Sequence, residues 1–154
     1  MKTKKHFFLY GIVSILFLAI FSSCENKRDD SGTLGGMWQL LEWRALDGSP
    51  VYSKPDNSNA SIYYKVRSNV LMLQELPGDA DNYFLTYYHQ TADSIIINQP
   101  YKIVNNAERD SVLHPIGDLK KYGVPENGRL HIDVLTSDKM VLSGAEGTLR
   151  FRKY

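Results

Sequence analysis

Apolar and polar residues alternate along most of the chain beyond residue 36, in short segments that turn-forming residues separate. The segments LHIDV at 130–134 and LRFR at 149–152 show the alternation most clearly. A period of two is typical of antiparallel strands that bury one face and expose the other. The whole pattern predicts eight strands, at residues 37–46, 61–66, 70–76, 83–89, 94–104, 130–135, 139–143 and 148–153.

The segments between the predicted strands favour a closed all-β fold. Tight turns are predicted at 67–69, 136–138 and 144–147, where small and polar residues cluster. Strands that follow one another through tight turns form a meander, and eight of them favour closure into an antiparallel barrel. A sandwich of two sheets is the alternative architecture.

Residues 118–123 predict one short helical segment. Asp118 is the expected N-cap, because its carboxylate accepts hydrogen bonds from backbone N–H groups at a helix start. Gly123 is the expected C′ residue, since glycine adopts the left-handed conformation without strain, and Pro125 prevents continuation of the helix. We expect the remainder of residues 105–128 to form a long loop.

The N-terminus has the layout of an export signal. Three lysines precede an apolar run at 7–21, and Ser22 and Ser23 lead from it to Cys24. Charge, a short apolar core and small residues are the three parts of a secretory signal. The apolar run is also shorter than the roughly 20 residues that a membrane-spanning helix needs. We therefore predict a cleaved signal peptide at 1–23, with an uncleaved anchor helix as the alternative.

Cys24 is the single cysteine of the chain. It has no disulfide partner within the chain, and an unpaired thiol in an exported protein needs an explanation. The segment 21–24 resembles the lipobox of bacterial lipoproteins, although Phe21 replaces the usual aliphatic residue. The resemblance implies that Cys24 becomes the N-terminus and carries a diacylglyceryl group and a fatty acid such as palmitate. The membrane is then a partner of the protein through this lipid.

Residues 24–34 are polar and charged, which predicts a flexible tether in front of a domain at 35–154. The charged residues after Cys24 resemble the surface-export signal of Bacteroidota lipoproteins, and a plain spacer is the alternative. We expect a protein of the cell envelope that its lipid holds at the outer membrane, on either the periplasmic or the surface face.

Removal of residues 1–23 leaves 131 residues and changes the formal net charge from +1 to −2. This charge argues against a nucleic-acid binder, which would carry a basic face. The remaining histidines, His89, His114 and His131, lack the spacing of a metal site. The chain also has no phosphate-binding loop and no nucleophile elbow. We therefore expect no enzyme activity, no metal and no cofactor.

Gly36, Met37 and Trp38 match the G-x-W motif that opens lipocalin-like barrels, and the chain ends on the basic and aromatic segment TLRFRKY. The chain thus resembles the lipocalin-like lipoproteins of Bacteroidota. This resemblance implies an eight-stranded lipocalin-like (calycin) barrel in which Trp38 closes one end. It also implies an arginine that stacks on the indole. Arg150 and Arg152 are the candidates, and Arg152 is preferred.

Aromatic side chains on the predicted strands are candidate ligand contacts, because tyrosine offers apolar area together with a hydroxyl group. The candidates are Tyr64, Tyr83, Tyr87 and Trp43. Two functions stay open. One is a barrel that binds a small hydrophobic ligand in its mouth; the other is a filled barrel that presents loops to a protein partner. Either barrel is expected to be a monomer.

Ser94 and Ser111 each follow an aspartate and precede an aliphatic residue. This pattern resembles the O-glycosylation sites of exported Bacteroidota proteins, which makes both serines candidate modification sites.

Overall fold

The computed structural model describes residues 32–54, 60–77, 82–104 and 111–154. Cys24, the predicted signal peptide and most of the predicted tether lie outside these residues. Two short 3-10 helices form in the described chain, Gly32–Leu34 and Ile116–Tyr122. The described strands are β1 (Gly36–Arg44), β2 (Pro50–Ser53), β3 (Ser61–Arg67), β4 (Val70–Leu76), β5 (Asn82–Gln90), β6 (Ser94–Ile97), β7 (Tyr101–Val104), β8 (Ser111–Leu113), β9 (Arg129–Leu135), β10 (Lys139–Gly144) and β11 (Gly147–Lys153). None of the helices in the described ranges has the length and apolar character that crossing a membrane requires.

Eight of the described strands close into an antiparallel barrel, which confirms the predicted fold class. Around the ring their order is β1, β3, β4, β5, β6, β9, β10 and β11. β1 pairs with β11 to complete the ring, with Trp38 opposite Lys153 and Trp43 opposite Leu149. Neighbours in the ring follow one another along the chain, so the barrel is the predicted meander and not a sandwich of two sheets.

The predicted strand at 94–104 is divided into β6 and β7. Both parts pair with β5, and residues 98–100 interrupt the ladder between them. Pro100 has no N–H to donate to a ladder, and Thr86 donates its hydroxyl hydrogen bond to the carbonyl of Asn98 at 2.7 Å. The strand prediction was therefore right about the position and wrong about the continuity.

β2 and β8 are not among the eight predicted strands, and β8 lies in the segment predicted as a long loop. β2 pairs with the end of β1, with Glu42 opposite Ser53, whereas β3 pairs with the beginning of β1. β8 has three residues and pairs with β7 at the end of the sheet. Strands this short carry too few alternating residues for a period of two to be recognised.

The predicted helical segment is a 3-10 helix that begins earlier than predicted. It starts after Pro115 and places Asp118 in its first turn, where the carboxylate lies 2.6 Å from Nδ1 of His114. The assignment of Asp118 as N-cap was therefore wrong. Gly123 ends the helix as predicted, with φ of +85° and its N–H donating to the carbonyl of Lys120 at 2.9 Å.

The buried and exposed faces that the alternation predicts are correct for β11, where Leu149 and Phe151 are buried and Arg150 and Arg152 are exposed. On β9 they are correct only in part. A register shift against β10 lets Leu142 pair with Ile132 and Val141 pair with Val134, so that Asp133 is bulged. A bulge reverses the alternation that follows it, and Leu135 rather than Val134 packs against the core.

The folded domain begins before the predicted boundary at residue 35. Leu34 lies at the end of the first 3-10 helix and is 1% exposed. Its side chain belongs to the hydrophobic core and lines the cavity inside the barrel, so residues 32–34 are part of the domain and not of a flexible tether.

Candidate functional site

Trp38 and Lys153 close the end of the barrel where β1 begins, which we call the lower end. Trp38 is fully buried and donates from Nε1 to the carbonyl of Leu34 at 2.7 Å. Nζ of Lys153 lies 4.9 Å from the centre of the indole ring, a cation–π arrangement. Gly36 has φ of +117°, and a Cβ there would lie 2.7 Å from Cε of Lys153. Glycine at this position therefore makes room for the lysine.

The preferred stacking partner, Arg152, has a different role. Arg152 follows the outward face of β11, and its Nε donates to Oε1 of Gln39 at 2.9 Å. Gln39 is fully buried although it lies on the outer side of β1, and its amide donates to the hydroxyls of Ser61 and Tyr63. Arg152 thus stabilises a polar network outside the barrel, and the predicted stacking of Arg152 on Trp38 was wrong.

The 3-10 helix Ile116–Tyr122 covers the opposite, upper end of the barrel. Leu119, Tyr122 and Val124 are buried there. The hydroxyl of Tyr64 donates to the carbonyl of Tyr122 at 2.8 Å, and the Tyr122 ring meets Phe84 edge-on. Burial raises the pKa of Tyr122 to about 12.

In the part of the chain that the structure describes, side chains fill the interior between the two ends of the barrel. The enclosed cavity there has a volume of about 10 Å³. Its lining consists of Leu34, Tyr64, Val66, Leu71, Tyr88, Ile95, Ile97, Leu130 and Met140. A cavity of this size holds about one water molecule, so it offers no room for a small-molecule ligand.

The four aromatic candidates for ligand contacts are separated by the barrel wall. Tyr64 is buried in the interior, and Trp43, 8% exposed, donates from Nε1 to the carbonyl of Glu146 at 2.7 Å. Tyr83 and Tyr87 are outward residues of β5, because the alternating residues Phe84 and Tyr88 are buried. The described structure therefore does not bring the four together, and the prediction that tyrosines line the barrel mouth was wrong for Tyr83 and Tyr87.

A contiguous apolar surface lies on the outside of β4, β5 and β7. The ladder places Val70 opposite Tyr87, Met72 opposite Leu85, and Leu85 opposite Tyr101. We call this surface the outer apolar face; it consists of Val70, Met72, Leu85, Tyr87, Tyr101 and Ile103. Tyr87 is 53% exposed and Tyr101 is 38% exposed. On most antiparallel sheets such outward positions are polar, so this apolar patch is a candidate binding surface.

The outer apolar face contains a cleft and continues into a second groove. The cleft, between Val70, Tyr87 and Tyr101, has a volume of about 350 Å³, which lies within the range of ligand clefts. Val70 also lines the second groove, of about 550 Å³, which extends past Arg67 to Met37 at the lower end of the barrel. We call this second groove the lower groove. Sequence reasoning missed both, because β5 is apolar on both faces.

The opposite side of the barrel is polar. Glu42 lies between Arg44 and Arg150, and the hydrogen bond from Arg44, more than the charge of Arg150, lowers the pKa of the Glu42 carboxyl. On the neighbouring strands Ser143 donates to Asp133 at 3.0 Å. The outside of the barrel is therefore divided into one apolar and one charged side.

The surface cluster of Ser143, Asp133 and His131 has the residue types of a catalytic triad but not its geometry. Ser143 donates to Asp133, and Nε2 of His131 lies 3.8 Å from the same carboxylate oxygen. A nucleophilic serine has to donate to the histidine that deprotonates it. The cluster therefore is not arranged for nucleophilic catalysis. The described part of the chain also holds no group of three or more His, Cys, Asp or Glu side chains placed to bind a metal ion.

Of the two candidate glycosylation serines, the structure describes the side chain of Ser94 only. Ser94 is 4% exposed and its hydroxyl donates to Asp93 at 2.9 Å, so the folded barrel does not present Ser94 for modification. Hydrogen bonds from Thr91 and Ser94 lower the pKa of the Asp93 carboxyl. The side chain of Ser111 lies outside the described residues.

The chain is similar to known lipocalin-like proteins in sequence pattern and in structure. The family described as a lipocalin-like domain matches residues 19–154. A lipocalin-like protein from Bacteroides uniformis ATCC 8492 is 19% identical, with 80% of this chain and 100% of that chain covered and a TM-score of 0.54. A protein from Burkholderia xenovorans, solved by NMR, is 14% identical, with 82% and 88% covered and a TM-score of 0.51. A comparison with curated protein sequences finds no match.

Proposed function

The chain belongs to the lipocalin-like domain family, and on that premise we propose that it is a lipid-anchored binding protein of the cell envelope. In this proposal the lipid on Cys24 holds the domain at the outer membrane. The barrel itself is a rigid support, and the outer apolar face binds a hydrophobic ligand or partner. The role is binding and not catalysis.

The contrast between the inside and the outside of the barrel supports this proposal most strongly. The enclosed interior cavity measures about 10 Å³, whereas the outer cleft measures about 350 Å³. A small hydrophobic ligand needs a cleft of roughly the larger size. We therefore still expect a hydrophobic ligand, but we place its binding site on the outside of β4, β5 and β7 and not in the barrel mouth.

The proposed anchor is supported by the N-terminal sequence. An apolar run at 7–21, two serines and the single cysteine Cys24 stand in front of the domain. Mass spectrometry of the mature protein tests this part directly. We expect a chain that begins at Cys24 and carries three fatty acyl groups; an N-terminal Met1 or a free Cys24 thiol would contradict the anchor.

The proposed binding face is tested with a fluorescent apolar probe, 1-anilinonaphthalene-8-sulfonate, on the mature chain carrying Cys24→Ser. Leu85→Glu places a charge in the centre of the outer apolar face. Because burial of a leucine contributes about 1.5–3 kcal/mol, we expect probe affinity to fall by about tenfold or more. Val141→Glu is the matched control, since Val141 is a half-buried outward residue on the polar side. Equal probe affinity of the two variants would show that the outer apolar face is not the binding site.

A further inference from the structure

The position and chemistry of the outer apolar face identify what it binds. We propose that this face lies against the lipid surface in which Cys24 is anchored, so that the barrel rests on its side on the membrane. This inference depends on the proposed anchor at Cys24 and names the partner of the proposed binding face.

The chain leaves the domain at the same end as the lower groove. The described chain begins at Gly32, and the lower groove begins at Gly36 and Met37. Gly32 is eight residues after Cys24, and a chain of eight residue steps reaches at most about 28 Å. A nine-residue strand such as β5 is about 30 Å long. An anchor at Cys24 therefore holds the lower end of the barrel, where the lower groove begins, within about 28 Å of the bilayer.

The side chains of the face have the chemistry of the boundary between lipid and water. Val70, Met72 and Leu85 supply aliphatic area at its centre, and the half-exposed rings of Tyr87 and Tyr101 lie beside them. Tyrosine is enriched at membrane interfaces because its ring enters the apolar layer while its hydroxyl stays hydrated. If the outer apolar face lay against water instead, its apolar side chains would stay exposed to solvent.

The charges that border the face favour an anionic surface. Lys65 and Arg67 on β3 are the outward neighbours of Met72 and Val70. Among the described residues, neither the outward row Lys65, Met72, Leu85 and Tyr101 nor the outward row Arg67, Val70 and Tyr87 contains a carboxylate; Glu75 of β4 lies opposite Ile62, nearer the upper end. Basic residues beside an anionic lipid surface contribute about 1 kcal/mol each.

The opposite side of the barrel could not take the same position. β11 is four strands away from β5 around the ring of described strands, and its outward residues include Arg150 and Arg152, with Glu42 beside them on β1. Burial of these charges against lipid would be costly. The barrel therefore has one side that fits a lipid surface and one that fits water.

The test uses the acylated mature protein in vesicles of phosphatidylethanolamine and phosphatidylglycerol. Cys24 is the only native cysteine, so after acylation an introduced cysteine is the single reactive thiol. Tyr87→Cys on the face and Arg150→Cys on the far side are each labelled with a nitrobenzoxadiazole fluorophore. We expect blue-shifted emission and quenching by spin-labelled lipid at position 87, and neither effect at position 150.

Each other outcome has a separate meaning. A free thiol in the unmutated acylated preparation, or loss from vesicles on flotation, would overturn the proposed anchor and with it this inference. Equal quenching of both labels on firmly anchored protein would overturn the docking alone. A blue shift at position 87 without lipid quenching would assign the face to a second copy of the chain and overturn the membrane as its partner.

The charge contribution gives an independent readout in the same vesicles. Arg67→Gln on the Tyr87→Cys background should lower the ratio of docked to undocked protein by about fivefold, as expected for one basic residue at an anionic surface. Lys139→Gln, an exposed change at the first residue of β10, should leave the ratio unchanged. Equal behaviour of the two variants would contradict docking through Arg67.

Discussion

Trp38 and Lys153 lie opposite each other on β1 and β11, and together they close the lower end of the barrel. Directly opposed residues in a ladder point to the same face, which brings the lysine over the indole. Nζ of Lys153 also lies 3.4 Å from the carbonyl of Thr33, so the same cation contacts the first 3-10 helix. At the scale of the residue, register alone decides which cation reaches Trp38.

This pairing predicts different effects for two adjacent basic residues. In a Trp43→Phe background Trp38 is the only tryptophan of the chain. Lys153→Met should change the emission of Trp38 and lower the free energy of unfolding by about 0.5–1 kcal/mol. Arg152→Met should leave the emission unchanged, although loss of its bond to buried Gln39 costs about 1–3 kcal/mol. Urea titration followed by tryptophan fluorescence measures both, and an emission change only in Arg152→Met would contradict the pairing.

The buried tyrosines at the upper end predict a loss of stability at alkaline pH. Burial raises the pKa of Tyr122 to about 12 and raises the pKa of Tyr64 well above its usual range. Because the folded state holds these protons more tightly than the unfolded chain, their contribution is complete below about pH 10 and is lost as the pH rises further. Tyr64→Phe should therefore make the decline in urea midpoint between about pH 9 and 12 shallower.

The control for this pH dependence is Phe151→Leu. Phe151 packs against Tyr64 with 4.7 Å between ring centres, so the change weakens packing but keeps both hydroxyl groups. It should lower the urea midpoint by a similar amount at every pH. A parallel decline in Tyr64→Phe and the unmutated protein would show that Tyr64 does not contribute to the alkaline transition.

Some of these residue positions could be predicted from the sequence. Alternation correctly assigned Leu149 and Phe151 to the core, and Trp38 of the G-x-W motif is buried there as well. Alternation could not anticipate the bulge at Asp133, because a single extra residue reverses the faces without any change in composition. The choice between Arg152 and Lys153 failed for a related reason, since it depends on the register between two strands that are far apart in the sequence.

At the scale of the element, the 3-10 helix Ile116–Tyr122 is held against the barrel by the glycine that ends it. Gly123 has φ of +85°, and a Cβ there would lie 2.5 Å from Cδ2 of Leu149. Both the backbone conformation and the contact with β11 therefore require glycine. The end of the helix could be predicted from Gly123 and Pro125, whereas its start could not, because Pro115 and not a side-chain cap begins it.

Two glycines of this segment form a matched pair for measurement. Gly123→Ala should lower the free energy of unfolding by about 1–3 kcal/mol, from backbone strain and the clash with Leu149. Gly117→Ala lies in the same helix, and a Cβ there would have no atom within 4 Å. It should leave stability unchanged or raise it by about 0.4–1 kcal/mol. Equal urea midpoints for the two variants would contradict this account of how the upper end is closed.

At the scale of the whole molecule, the barrel has a filled interior and two unlike sides. The number of strands in the ring could be predicted from the sequence, since each segment of alternating residues became one position in it. Which side of the barrel carries an apolar outer surface could not be predicted. β5 carries apolar or aromatic residues on both faces, Phe84 and Tyr88 inward and Leu85 and Tyr87 outward, so its pattern does not say which face the core takes.

Methyl NMR of the mature chain carrying Cys24→Ser, titrated with dodecanoate, tests most directly where the protein binds apolar molecules. We expect methyl resonances of Val70, Leu85 and Ile103 to shift with added dodecanoate, because these residues line the outer cleft. Resonances of Leu73 and Leu142, which are fully buried in the filled interior, should stay in place. Shifts confined to the interior leucines, with the outer residues unmoved, would contradict the account.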